Sequence, residues 1–374
     1  MKGMRSLLDL LLWLCFAIVC GCNNSPPIII GFSGQLTGKL SDLGVQGRNG
    51  AMLAVEKINA SGGINGRPLQ LIAKDDHNTP EGAITADKAL LKANAVAIIG
   101  HMTSSQTIAA LPFCRANGIV MVSPTAASSE LSNKKDTLFR VIDDTANNSL
   151  KLAEYAVSAL KIKNIIIIYD RNNINYSRSF ADSFTKSFEQ FGGNILEGIN
   201  YSANQSTRWD HVIQILKEKK PDGIVLVCPA QDVVSLAQRI RAIGLKSHIL
   251  SAGWAYTEKL VQWGGLDVEN MIFAINYADD NPKPEFIKFK ELYKQRFGSR
   301  PNFASAFGYE AVLALAEGLK KTDGSAQGLV DAMAPSNNIT GIISDFRLNS
   351  SGDTKRNTFI ATIQNGQFKT IEVR

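Results

Sequence analysis

The sequence predicts an α/β protein built of two doubly wound parallel-sheet lobes joined by a hinge that the chain crosses three times. Three observations carry this expectation. From Ile28 onward, short β-branched runs alternate with longer segments of helical spacing. Two such series occur, separated by the polar stretch Asp143-Asp144-Thr145. Runs such as Ile165–Ile168 and Ile224–Val227 do not alternate with polar residues. Such strands are covered on both faces, as in parallel sheets with helices on each side. Strand–helix–strand crossovers in one sheet are right-handed, so each series winds into its own sheet.

The first series predicts strands at 28–34, 68–76, 95–100 and 119–124, with helices at about 45–59, 81–92 and 105–116. The second predicts strands at 164–170, 194–202, 223–228 and 248–254, with helices at about 176–191, 209–219 and 232–243. The remainder has helical stretches at about 284–297, 304–320 and 326–333, then strand-like segments at 346–348 and 358–373. Helices this numerous with few strands complete the outer layers of sheets already built. The chain is then expected to cross near Asp143, near Asn276 and again after Asp345. One lobe would comprise 28–142 with 276–350, and the other 143–275 with 351–374. Parallel crossings form a hinge over a cleft, and hinged closure traps ligands.

At 374 residues with 45% apolar and 20% charged residues, the chain suits two ordinary domains. Its start differs from the rest. Lys2 and Arg5 precede the apolar run Leu10–Val19, too short to span a bilayer as a helix. This reads as a secretory signal peptide over residues 1–21. The Val19-Cys20-Gly21-Cys22 ending resembles the bacterial lipobox, so Cys22 is the expected acylated N-terminus, with the membrane reached through that anchor in the periplasm or at the cell surface. Cys20 and Asp9 depart from the usual pattern, and the alternative is ordinary cleavage nearby and a soluble periplasmic protein. Of the remaining cysteines, Cys114 and Cys228 fall in different lobes and are expected as buried free thiols.

The net charge of +6 comes without a basic run, so nucleic acid is not an expected partner. The four histidines form no close pair of metal-ligand spacing, and neither a phosphate loop nor a dinucleotide fingerprint is present. No cofactor, no metal and no enzymatic activity are expected. Asp75-Asp76 at a strand end could hold a cation or act as acid and base, but capping or solvation is the plainer reading.

The positive signal lies at strand ends, where ligands of open α/β sheets bind. Gly100–Ser105 and Ser123–Leu131 each join a buried strand to what reads as a helix, and both are rich in small hydroxyl residues. Unpaired N–H groups and the macrodipole at two such termini favour a carboxylate.

These segments, with Ile28–Asp76 (notably INASGGINGRPL), FRVIDD (139–144) and RIRAIGLKSHILSAGW (239–254), resemble the periplasmic branched-chain amino-acid-binding proteins, type I solute receptors of ABC transporters. The resemblance covers essentially the whole mature chain. It implies capture of a small amino-acid-like or carboxylate ligand for a membrane permease with ATPase subunits. A sensory module of the same fold is the alternative. A single copy is expected to act alone. Position by position, carboxylate contacts fall on Ser104 and the backbone of Thr125, Ala126 and Ala127. An aromatic lid falls on Tyr176, and apolar pocket positions on Leu43 and Met102. The departures are Ala127 for a threonine, Gly253 for the acid that pairs the ammonium, Pro229 or Ala230 for a tyrosine, and Asn78 and Thr103 for a disulfide. Trp254 and Tyr277 are expected to add aromatic wall, and the ligand to tolerate loss of its amino group. Asp170, Asp232 or Glu258 would have to swing in to overturn that expectation.

Overall fold

The computed structural model describes residues 26–38, 40–202 and 209–373, so the expected signal peptide and Cys22 lie outside the described residues. The first sheet holds β1 (Ile28–Gly34), β2 (Leu69–Asp75), β3 (Ala97–Ile99), β4 (Val120–Ser123) and β5 (Leu138–Arg140), parallel in the order β2-β1-β3-β4-β5. Helices α1 (Ser41–Ala60), α2 (Pro80–Lys92) and α3 (Ser104–Ala116) connect its strands. The second sheet follows α4 (Thr145–Ser158) and repeats the pattern. Its strands β6 (Asn164–Asp170), β7 (Asn194–Tyr201), β8 (Gly223–Val227), β9 (His248–Ala252) and β10 (Ile272–Ile275) run parallel in the order β7-β6-β8-β9-β10. Helices α5 (Ile174–Gln190), α6 (Asp210–Lys219), α7 (Ala230–Ala242) and α8 (Glu258–Gly264) connect them. The uninterrupted runs 165–168 and 224–227 are fully buried, as two-faced strands must be.

The chain then returns to the first sheet with α9 (Pro284–Phe297), α10 (Phe303–Lys321) and the short α11 (Leu329–Met333). It ends on the second sheet as the antiparallel hairpin β11 (Phe359–Gln364) and β12 (Gln367–Val373). Asn365 and Gly366 both take positive φ in its two-residue turn, the conformation such hairpins need. Two expectations shift here. Residues 346–348 form no strand, only a bridge between Ile339 and Phe346, and the helix expected from 326 begins at Leu329.

Helix α10 is buried nearly all round because it crosses α1 backbone to backbone. A Cβ on Gly50 would stand 1.9 Å from the Ser305 carbonyl oxygen, and one on Gly308 2.3 Å from that of Gly47. Only glycine permits so close an approach. The three passages between the sheets are tied together by side chains. The amides of Asn148 and Asn276 bond each other at 3.0 Å, and Thr358 donates to Asn148 at 2.8 Å. Arg356 donates from Nε to the Val141 carbonyl at 2.9 Å, pairs with the buried Glu310, and stacks 4.0 Å over the Phe346 ring.

Candidate functional site: an interlobe cavity

A cavity lies between the two sheets at the carboxyl ends of their strands. Leu43, Met102, Thr125, Ala127 and Phe303 line it from one side. Asn173, Tyr176, Phe180, Gly253 and Trp254 line it from the other, with Ile142, Thr145, Asn148 and Ile275 at the hinge. Contacts across the cleft hold the two sides together. Ser105 donates from its hydroxyl to Asn175 at 2.9 Å and from its N–H to Asn173 at 3.2 Å; the Ser129 N–H donates to Ser179 at 3.1 Å. At the opposite edge, Lys259 pairs with Asp42 at 2.9 Å.

One end of the cavity is a donor site built by the loop after β4. Among the described residues the N–H groups of Thr125 and Ala127 donate to nothing, although both residues are nearly buried. Buried unpaired donors are costly, so they call for an acceptor. The loop is held from behind by groups that carry no sequence signal of their own. Arg140, only 2% exposed, donates to the carbonyls of Ala126 (3.3 Å) and Ser128 (3.0 Å) and pairs with Asp353. The expected pair of convergent helices is corrected here. The first segment does start α3, but the second leads only into a 3-10 turn at Ser129–Leu131. The donors are loop N–H groups, since Ser128 turns back to cap its own short turn.

Behind the loop sits a buried cluster. The His101 imidazole lies 2.9 Å from Asp76 and 3.2 Å from Asp87, all three out of solvent. Burial alone would lower its pKa, but Asp87 and Asp76 more than reverse this and hold it at about 9. The His101 carbonyl accepts from Ser123 at 2.7 Å, and Ser123 accepts from the Ala126 N–H at 3.1 Å. A charged histidine thus anchors the donor loop two bonds away. Cys114 donates to Asp87 at 3.4 Å, and burial raises its thiol pKa far out of reach. Asp75 faces outward and accepts from Leu36 and Thr37; burial would raise its pKa, but these bonds lower it overall. The acidic pair therefore splits into one loop-holding and one histidine-holding carboxylate.

The other wall is aromatic. Tyr176 and Trp254 meet edge to face with centroids 5.9 Å apart, and Phe180 lies 6.4 Å from Tyr176. Burial pushes the Tyr176 hydroxyl pKa up, so it stays neutral. A Cβ on Gly253 would meet the Ile275 side chain at 2.8 Å, so this position has no room for an acid as packed. None of the described residues lining the cavity carries a formal charge. Asp170 lies behind Asn173, accepting its N–H at 3.3 Å; Asp232 accepts from Tyr201 at 2.9 Å; Glu258 lines a separate cavity.

The structure brings Leu43, Met102, Thr125, Ala127, Tyr176 and Trp254 together around the cavity, and leaves three expected residues off its lining. Ser104 is 1% exposed and its hydroxyl accepts from the Ser128 N–H at 3.1 Å, bracing the loop. Ala126 packs into the core below, because its N–H is taken by Ser123. Tyr277 lies just past β10 and turns into an aromatic cluster with Tyr256 and Phe286, away from the site. Sequence reasoning missed Phe303, Asn148, Asn173 and Phe180, along with Ile142, Thr145 and Ile275 at the hinge. Phe303 could have been suspected from the Asn302–Ser305 capping box that starts α10 beside it.

A hinged two-sheet fold closed over a neutral cavity with paired donors is that of a solute-binding protein. The chain belongs to the periplasmic binding protein family, whose description matches residues 27–367. Among its relatives is Leu/Ile/Val-binding protein homolog 1 of Brucella abortus, 24% identical over 344 residues, 90% of either chain. Its fold matches that of a branched-chain amino acid transporter substrate binding protein of Streptococcus pneumoniae solved in complex with isoleucine. The TM-score is 0.84 at 22% identity, over 93% of this chain and 99% of that one. It also matches an ABC transporter solute binding protein of R. palustris in complex with benzoate, with a TM-score of 0.84 at 18% identity, over 93% and 96% of the two chains. Among the described residues no helix is long and apolar enough to cross a membrane, and no acidic, histidine or cysteine cluster could hold a metal.

Proposed function

We propose that this chain is the receptor of an ABC importer, closing 28–142 with 276–350 against 143–275 with 351–374 around a carboxylate with an apolar or aromatic body. It performs no chemistry on that ligand and needs no cofactor; one copy suffices, since a single chain supplies every wall. The observation that supports this reading is the cavity's composition: two unpaired N–H donors at one end, aromatic rings at the other, and no acidic side chain among the described residues lining it. An α-ammonium enclosed there would lose water without gaining a carboxylate, which costs several kcal/mol. The homologous receptor named for leucine, isoleucine and valine and the isoleucine and benzoate complexes bracket this ligand class.

Calorimetry with leucine and phenylalanine against 4-methylpentanoate and 3-phenylpropanoate tests it. The deamino acids are expected to bind at least as tightly as the amino acids. Loss of binding on removal of the amino group would establish an ammonium site and restore an ordinary amino-acid ligand.

Anchoring through Cys22 completes the proposal, placing the receptor at the membrane that holds its permease. Mass spectrometry of the mature protein is expected to find a diacylglyceryl cysteine at its start, since two acyl chains anchor stably where one is marginal. A mature form that begins elsewhere and partitions wholly to the aqueous phase would rule the anchor out.

A further inference from the structure

The cavity does not end at its aromatic wall. Leu43 and Trp254 line it from within and also line a second chamber between the same two lobes. These two side chains are the lining that the two spaces share. Both Leu43 and Trp254 are only half-buried, and Trp254 rests edge to face on Tyr176. On the far side, the turn into α7 presents Pro229 and Ala230, which carry little bulk, and Trp263 stands opposite.

The outer chamber also has a defined polarity. Its one lysine, Lys259, is engaged twice, by Asp42 at 2.9 Å and over the Trp263 ring at 5.6 Å. A second carboxylate arriving here would meet Asp42 and find that cation already paired. An apolar tail would meet Trp254, Trp263 and Pro229.

We propose that the two chambers are halves of one elongated site. The inner half takes the carboxylate and the first part of an apolar body. The outer half takes a distal alkyl or aryl tail once Leu43 and Trp254 rotate aside. The ligand class is then a monocarboxylate whose apolar tail is longer than a leucine side chain. This rests on the carboxylate reading of the inner half, and extends it.

The test is calorimetry on the mature protein with benzoate, 3-phenylpropanoate, 5-phenylpentanoate, 4-methylpentanoate and heptanedioate, repeated on Ala230→Trp and the milder Ala230→Leu. Affinity is expected to rise with tail length by up to about fourfold per methylene, the value of burying one CH₂. Heptanedioate is expected to bind more weakly than 5-phenylpentanoate. Ala230→Trp should weaken 5-phenylpentanoate tenfold or more and leave 4-methylpentanoate unchanged, with Ala230→Leu in between; the unchanged short ligand reports an intact inner site. Affinity that is flat or falls with tail length, or a long-tail affinity indifferent to both substitutions, overturns the elongated site and leaves the carboxylate reading standing. If none of these acids binds wild type, the carboxylate reading itself fails and the elongated site falls with it.

Discussion

Replacing Arg356 by methionine is expected to lower the unfolding free energy by about 3–5 kcal/mol, the usual consequence of stripping one partner from a buried ion pair. Glu310 would be left fully buried. Burial already raises its pKa despite Arg356 and the Ile343 N–H, which pull it down. Without the guanidinium it must take up a proton or remain an uncompensated charge. The same substitution removes the bond to the Val141 carbonyl and the stacking on Phe346 and Phe307. Arg356 thus joins the third passage between the lobes to the first, and its loss acts on the hinge as well as the core. Urea denaturation measures the effect, and pairing Arg356→Met with Glu310→Gln is expected to recover part of it, because the glutamine carries no charge to strand. A loss under 1 kcal/mol in the single variant would show that the hinge does not depend on this pair.

The second large effect is a stability profile governed by His101. Its pKa is raised from 6.5 to about 9 in the folded protein. A raised pKa means that the folded state binds the proton more tightly than the unfolded chain. The contribution is therefore complete below about pH 6.5 and is lost as the pH climbs through about 9. Its size is on the order of 3 kcal/mol. Denaturation midpoints at pH 6.5, 8 and 9.5 are expected to fall in that order. His101→Gln is expected to be less stable at pH 6.5 and nearly flat between pH 6.5 and 8. Above about pH 8.5 the Cys114 thiol, held protonated in the fold by burial but free to ionise in the unfolded chain, adds a further fall in wild type and variant alike, so His101 is read between pH 6.5 and 8. A wild-type profile without slope between 6.5 and 8 would mean that the imidazole is neutral between its two carboxylates.

The strand runs of both sheets were legible because two-faced burial leaves an unbroken apolar signature, as at Ile165–Ile168 and Ile224–Val227. Helix α4 went unseen. Its opening residues Thr145–Asn148 are polar but for Ala146, and only the Asp144 cap, accepting from Ala146 and Asn147, marks its start. The strand β10 is four residues long, too short to stand out by periodicity. At the site, the loop donors could be placed from local pattern, and Tyr176 from the family resemblance. Tyr277 could not, because one residue of register decides whether a side chain leaving a strand enters the cleft or the opposite cluster. Nor could Asn148, which sits in the first turn of the unseen α4. The Asn302–Ser305 capping box marks where the helix of Phe303 starts, but Phe303 reaches the cavity only because the chain returns across the hinge, a relation between distant segments that no local spacing records.

That return has a consequence for how the molecule assembles. The second sheet's parallel core comes from one unbroken stretch, 145–275, so its contacts can form from neighbours. The first sheet cannot finish alone, because α1 rests against α10, and Tyr293 of α9 bonds Gln46 of α1 at 2.6 Å from 247 residues away. Closing so long a loop is slow relative to local contacts. The half made first therefore waits, with the α1 face bare, while the half made second completes itself. In refolding, protection of β6–β9 amides from exchange is expected to precede that of β1. The interval between them is when the apolar face around Gly47 and Gly50 is open to wrong partners, and it ends only when α10 arrives.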